Sequence, residues 1–302
     1  MSQQKRLRRL RRSMMFLNAQ RPSLLKDAYV YGPDCLLLDL EDAVAESQKD
    51  AARFSLYNAL KSVDYRGVER IVRINGLDTP HWQEDIRVAV AGGADGIRIA
   101  KCETAQDVRT VVEHIERAEA EFGREPGSTL VMAALESPLG ILNAYDICRA
   151  SPERMLGVAI SGGDYRKSMQ TSYNPGGIEM LGGRANMLIA ARAAGVQCFD
   201  TVFTDVDDME GFRQEVILNK QMGFDGKSII SPRQIAVVHE IFTPSPKEIR
   251  DAERIVRTVR EQAEQGVGVF TLDGKMLDIA FVPGAERVIE LAKASGVYEG
   301  DL

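Results

Sequence analysis

Asp39, Glu41 and Asp42, then Arg73, Lys101, Glu136 and Asp164, each stand at or just past the end of a short apolar run. If those runs are staves of one closed parallel barrel, the side chains converge on a single rim, where residues far apart in sequence share a cavity. Glu136 and Asp164 end adjacent staves and can present two carboxylates to one hard cation. Mg²⁺ is commonly held that way, with water and substrate oxygens completing its shell. The same two acids would also serve as helix caps or ion-pair partners. Asp39-Leu40-Glu41-Asp42 gathers three acids on one loop, suited to holding metal-bound waters as an outer ring, or to capping the helix that follows.

Arg73 alternates with Val72 and Ile74, which turns its guanidinium toward the barrel mouth, where it suits a carboxylate or a developing enolate oxygen. Arg98 and Lys101 add positive charge, with ion pairing to the acidic loop as the competing role. A cation and an arginine that stabilise oxyanions describe enolate chemistry, in which a carbon–carbon bond breaks or forms. No Ser-His-Asp spacing, Walker loop or dinucleotide fingerprint competes. Ser161-Gly162-Gly163-Asp164 lacks the lysine of a phosphate loop and reads as backbone that a ligand can approach closely.

The elements that must position these residues follow from periodicity. Short apolar runs rich in β-branched residues alternate with segments of 3.6-residue period, the pattern of βα units around a parallel sheet. The expected strands are Met14 to Leu17, Cys35 to Leu40, Arg70 to Ile74, Gly96 to Ala100, Leu130 to Leu135, Leu156 to Ile160, Phe199 to Phe203 and Lys227 to Ile230. The expected helices include Glu46 to Val63, Thr104 to Phe122, Glu179 to Ala194 and Met209 to Met222. Ser137-Pro138 and Ser231-Pro232 mark helix starts, and Gly93, Gly123, Gly195 and Gly223 suit the left-handed position past helix ends. The fold expected is α/β, a (β/α)₈ barrel over residues 13–242. A basic arm over residues 1–12 precedes it, and a C-terminal helical extension over 243–302 follows. The extension is too small to bury a good core alone, so it should pack on its own barrel or a neighbour's, as a lid over the open rim.

Bulk properties narrow the partners. The 302 residues carry a net charge of −6, which argues against a nucleic-acid surface spread over the molecule. The exception is the arm, where Lys5, Arg6, Arg8, Arg9, Arg11 and Arg12 suit either a packed, solvated role or docking of an acidic partner. It is not a secretory signal, and no run of about 18 apolar residues exists to span a bilayer, so a cytoplasmic protein is expected. Cys35, Cys102, Cys148 and Cys198 are widely spaced and read as buried small hydrophobes in a reducing compartment.

Taken in order, Asp39-Leu40-Glu41-Asp42-Ala43-Val44, Arg73-Ile74-Asn75, Leu135-Glu136-Ser137-Pro138-Leu139-Gly140, Gly226-Lys227-Ser228-Ile229-Ile230 and Asp273-Gly274-Lys275-Met276-Leu277-Asp278 form a specific set. On them the chain resembles the citrate lyase β-subunit family, part of the CitE-like group of the HpcH/HpaI aldolase superfamily, from about Arg12 to Lys293. The resemblance implies Mg²⁺ held by Glu136 and Asp164, Arg73 on the substrate oxygens and Glu41 and Asp42 as outer acids; Asp39 joins those acids by its place on the same loop, and Lys101 and Gly140 are further candidates at the substrate. It further implies a homotrimer or hexamer in which Asp278, on the extension, reaches a neighbour's site as proton shuttle. Two positions depart from the family pattern: Phe16-Leu17-Asn18-Ala19 stands in place of Phe-Val-Pro-Gly, and Gly163 in place of a glutamate or asparagine.

The expected activity is a retro-Claisen lyase that cleaves a citryl thioester, on an acyl carrier protein or coenzyme A, to oxaloacetate and an acetyl thioester. The candidate partners are citrate lyase α and γ (acyl carrier) subunits; no nucleic acid or membrane is expected. Alternatives are a citramalyl-CoA or malyl-CoA lyase, a Schiff-base aldolase using Lys101 or Lys227, and a non-catalytic subunit that only binds its carrier.

Overall fold

The computed structural model describes residues 9–302, apart from the side chain of Lys275. Lys5, Arg6 and Arg8 of the basic arm lie outside the described residues. Two compact units are present, one ending at His239 and the other spanning Glu240–Leu302.

In the first unit eight parallel strands close into a barrel in sequence order: β1 (Ser13–Asn18), β2 (Cys35–Asp39), β3 (Glu69–Ile74), β4 (Gly96–Ile99), β5 (Leu130–Leu135), β6 (Met155–Ile160), β7 (Gln197–Asp200) and β8 (Gly226–Ile229). Strand β1 pairs with both β2 and β8, which completes the ring and leaves no free edge. Each strand returns through at least one helix, the expected (β/α)₈ arrangement. Alternation decides what fills the ring. Met14, Cys35, Leu37, Ile71, Leu130, Met132, Leu156, Ala159 and Phe199 form an apolar plug, with Phe16 packed against it. One pleat further along, the register aligns Asp39 with Arg73 and Arg73 with Arg98, so a charged layer roofs an apolar one. Such a floor excludes water from below and fixes the side chains above it.

The expected strands and helices differ from those formed by a few residues at their ends. The seventh strand stops at Asp200 rather than Phe203, because Thr201 turns away to accept hydrogen bonds from the backbone of Gly162 (2.8 Å) and from Lys227 (Nζ to its carbonyl, 2.7 Å). The helix expected from Glu46 begins at Lys49 after a short 3₁₀ turn. Arg11 and Arg12, assigned by charge to the arm, belong to the barrel's closed end. Arg11 is fully buried and holds Glu69 through Nε (2.6 Å) and Nη2 (2.7 Å), and Arg12 pairs with Asp34 at 2.9 Å.

The second unit contains a helix, Pro246–Glu264, started by a capping box: Glu248 N–H donates to Ser245 Oγ and Ser245 N–H to Glu248 Oε2. Its Ala252 and Val256 pack on Ala285 and Ile289 of the helix Val282–Ala294. Between them lies a hairpin, β9 (Val269–Leu272) and β10 (Lys275–Asp278). Its two-residue turn, Asp273-Gly274, has φ of 50° and 77°, the double positive φ that such a hairpin requires. Among the described residues, no helix is long and apolar enough to cross a membrane.

Candidate active site

At the C-terminal ends of the strands two cavities share Asp164 as a common wall. One, of about 410 Å³, is lined by Phe16, Asp39, Arg73, Arg98, Ser161 and Ser228 among others. The second, of about 610 Å³, is lined by Lys101, Glu103, Glu136, Ser137 and Lys167. Glu136 and Asp164 therefore face one space, and Asp39, Arg73 and Arg98 face the space beside it.

The acidic loop after β2 is anchored before it does any chemistry. Lys49 Nζ donates to the carbonyls of Leu40 and Glu41 at 2.8 Å each, and Asn75 Nδ2 to that of Leu40 at 3.0 Å. Asp39 accepts the backbone N–H groups of Glu41 and Ala43, so the carboxylate that shapes the loop is Asp39, and the loop acids are not helix caps. Asp39 also takes Arg73 in a fork, Nε at 2.6 Å and Nη2 at 2.7 Å. Burial pushes the Asp39 carboxyl up, but Arg73 and the two backbone donors outweigh it and hold it below the usual range. Arg73 Nη1 reaches Glu41 at 3.0 Å and Asp42 at 3.6 Å. The two roles weighed for Arg73 thus coexist, since it is paired with the acidic loop and still lines the first cavity.

Lys101 follows β4 with φ of 50°, a left-handed conformation unusual for a side chain of this length, and puts Nζ 2.9 Å from Glu41 Oε1. That bond raises the Lys101 pKa, so its ammonium stays charged. Lys227 is fully buried, with Nζ bonded to Asp200 (2.9 Å), Glu215 (2.5 Å) and the Thr201 carbonyl. A Schiff-base nucleophile needs a neutral amine at the site. Neither lysine has the surroundings for that.

Glu136 is only 2% exposed, and neither of its carboxylate oxygens has a hydrogen-bond partner. Burial, then the charge of Glu41, push its pKa up to about 7 against the opposing charges of Arg73 and Arg98. A buried carboxylate left without donors is costly unless a cation meets it, so the donor set fits a hard divalent ion shared with half-buried Asp164. Among the described residues no three His, Cys, Asp or Glu side chains group to hold a metal. A cation here would draw its remaining oxygens from water and substrate, as Mg²⁺ commonly does.

Gly140 lines neither cavity. It is buried in the turn capped by Ser137, whose Oγ accepts its N–H at 3.1 Å, and a Cβ there would lie 2.7 Å from the Cys102 carbonyl. Asn18, in place of the family's proline, ties its loop by donating to the Ala43 carbonyl and accepting the Gln20 N–H. At Gly163 an added Cβ would meet open space. Asp278 closes β10 and accepts the Ala280 N–H at 2.8 Å, within the second unit.

The hydroxyls of Ser161 and Ser228 line the first cavity with Arg98, and neither hydroxyl is singled out by the sequence, where Arg98 stands only as added positive charge or an ion-pair partner. The available signal was alternation: in Gly96-Ile97-Arg98-Ile99 the two isoleucines face the helices, which turns Arg98 into the barrel.

A family model described as HpcH/HpaI aldolase/citrate lyase matches residues 12–232, and one described as C-C bond lyase of the TIM-barrel fold matches residues 175–297. The citrate lyase subunit beta of Leuconostoc mesenteroides is 46% identical over 293 residues, 97% of each chain. A (3S)-malyl-CoA thioesterase of Cereibacter sphaeroides is 33% identical over 95% of this chain and 96% of its own. A crystal structure of the CitE protein of Mycobacterium tuberculosis, in complex with magnesium, acetoacetate and coenzyme A, superposes with a TM-score of 0.76 at 28% identity, covering 93% of this chain and 98% of that one.

Proposed function

The chain belongs to the HpcH/HpaI aldolase/citrate lyase family and is a carbon–carbon lyase, and we propose that it cleaves a citryl thioester to oxaloacetate and an acetyl thioester with Mg²⁺ as cofactor. The observation that carries the reading is Glu136, buried with two unpartnered oxygens on the wall it shares with Asp164. Glu136 and Asp164 would hold the ion. When bound, it supplies positive charge beside the substrate oxygen that becomes the ketone of oxaloacetate.

The residues of the chain do the rest. Arg73, oriented by Asp39, grips the charged end of the substrate, and Lys101 adds a fixed cation at the mouth. Asp278 takes the proton of the β-hydroxyl. The bond between the carbinol carbon and the thioester α-carbon then breaks, its electron pair passes into the thioester enolate, and protonation at carbon gives the acetyl thioester. Asp278 would come from a neighbouring copy, through an extension (residues 243–302) packed on the adjacent subunit of a homotrimer or hexamer. The citrate lyase beta relatives, being subunits by name, support partner subunits, which we infer to be α and acyl-carrier γ chains, met in the cytoplasm. Coenzyme A is the alternative carrier, supported by the complex of the Mycobacterium protein.

A malyl-CoA or citramalyl-CoA substrate is the second reading, favoured by the malyl-CoA thioesterase relatives. Product analysis with citryl-, citramalyl- and malyl-CoA, with and without Mg²⁺, separates the two. Oxaloacetate formed only with metal supports the lead reading, and pyruvate or glyoxylate as the main product replaces it.

A further inference from the structure

Arg98 is the buried cation of this site that the protein leaves without a counterion. It is 1% exposed, and among the described residues no carboxylate lies within ion-pair distance of it. Its five N–H donors find only two long contacts, Nη1 to Ser228 Oγ at 3.3 Å and Nη2 to Ser161 Oγ at 3.2 Å, and Nε has no partner. Its neighbour in the ladder, Arg73, takes Asp39 and Glu41. The two guanidiniums lie 4.9 and 5.2 Å from the Phe16 ring centroid, so an aromatic face supports both. A buried charge left unpaired is strongly destabilising, and a site that keeps one is built for an anion that arrives with the ligand.

We infer that Arg98, with the hydroxyls of Ser161 and Ser228, binds a second carboxylate of the substrate and thereby selects a dicarboxylic keto-acid product over a monocarboxylic one. The inference rests on the proposed lyase reaction. Oxaloacetate differs from pyruvate by just this further carboxylate, and from glyoxylate by the carboxymethyl group that carries it. Arg73 spends its donors on Asp39 and Glu41, so Arg98 is the guanidinium lining the first cavity that keeps donors to spare, and its planar fork matches the two oxygens of a carboxylate. Each serine accepts from Arg98 and keeps its own hydroxyl proton to offer the incoming oxygens. The depressed Arg98 pKa, about 10 through burial and the like charge of Arg73, agrees with a cation awaiting its partner.

The test compares wild type with Arg98→Met and Arg98→Lys, as full-length protein with Mg²⁺. The readouts are calorimetric binding of oxaloacetate and pyruvate, and the ratio of kcat/KM for citryl-CoA to that for citramalyl-CoA. Arg98→Met should weaken oxaloacetate by about two to three orders of magnitude while shifting pyruvate only slightly, and the ratio should fall equally. Arg98→Lys, which keeps charge but loses the fork, should fall between. Equal weakening of both ligands, or of neither, overturns the inference. If Arg98→Met fails to fold, unchanged discrimination in Arg98→Lys and in Ser161→Ala/Ser228→Ala overturns it. If wild type cleaves no thioester yet prefers oxaloacetate through Arg98, the lyase reading falls and the carboxylate site stands.

Discussion

Lys101 Nζ and Glu41 Oε1 are 2.9 Å apart, and the bond holds a left-handed lysine across the mouth of the barrel. The pair makes the ammonium a fixed charge and denies it the lone pair an imine requires. Borohydride added with oxaloacetate or pyruvate should therefore leave the intact mass of the protein unchanged, while EDTA abolishes turnover. A stoichiometric adduct on Lys101 or Lys227 would reverse this assignment.

Glu136 links metal to pH. Its folded pKa, about 7, stands above the ordinary 4.5, so the metal-free fold gains from the protonated form. That contribution is complete below about pH 4.5 and is lost as pH rises through 7, amounting to about 3 kcal/mol. Metal-free wild type should thus lose Tm between pH 5 and 8 relative to Glu136→Gln. Mg²⁺ should restore it at pH 8 in wild type and do nothing for the variant. Parallel Tm curves for the two metal-free proteins would contradict the burial argument.

How much of this was legible beforehand depends on the kind of signal. The eight staves and their order follow from periodicity, because a strand buried on both faces reads as an apolar run whatever its neighbours do. The acids at the strand ends were visible for the same reason. Arg98 is visible as a charge, but which of its two roles holds is not, since a charge inside an apolar run looks the same whether it is paired or bare, and pairing is decided by strands distant in sequence. Gly140 shows another limit: its motif marks it for substrate, and the sequence does not show that the Cys102 carbonyl by itself already requires a residue without a side chain. Arg11 was read with its basic neighbours, although its partner Glu69 lies across the barrel floor.

Gly162 and Gly163 stand side by side and should respond oppositely to a methyl group. At Gly162 a Cβ would approach Arg166 Nη1 to 2.9 Å and Thr201 Oγ1 to 3.0 Å, whereas at Gly163 it meets nothing within 4 Å. Gly162→Ala should cost about 1–3 kcal/mol by overpacking, and Gly163→Ala should leave the unfolding free energy within about 0.5 kcal/mol of wild type. Gly163→Glu, which narrows the first cavity, should fold normally and change the KM for thioester. Equal destabilisation at both glycines in urea titrations would show that the two positions are not distinguished by space.

Lys227 lies away from both cavities yet sets one of their walls. Its ammonium joins Asp200, Glu215 and the Thr201 carbonyl, and Arg184 braces Asp200 (2.8 Å) and Glu215 (2.9 Å) from the other side. Thr201 in turn accepts the Gly162 N–H, the first link of the turn that carries Asp164. Removing the cation leaves buried Asp200 and half-buried Glu215 to one arginine, a loss of about 3–5 kcal/mol, and releases Thr201. Lys227→Met should therefore lower Tm and, at a temperature where it remains folded, weaken Mg²⁺ binding measured by calorimetry. Asp200 sharpens the test. Burial opposes its charge, but Lys227 and Arg184 hold its carboxyl well below the usual range. Its stabilisation is thus present above about pH 4 and is lost as pH falls through the depressed folded value. Lys227→Met should move acid unfolding to higher pH, and an unchanged acid transition with unchanged metal affinity would show that the network does not reach the site.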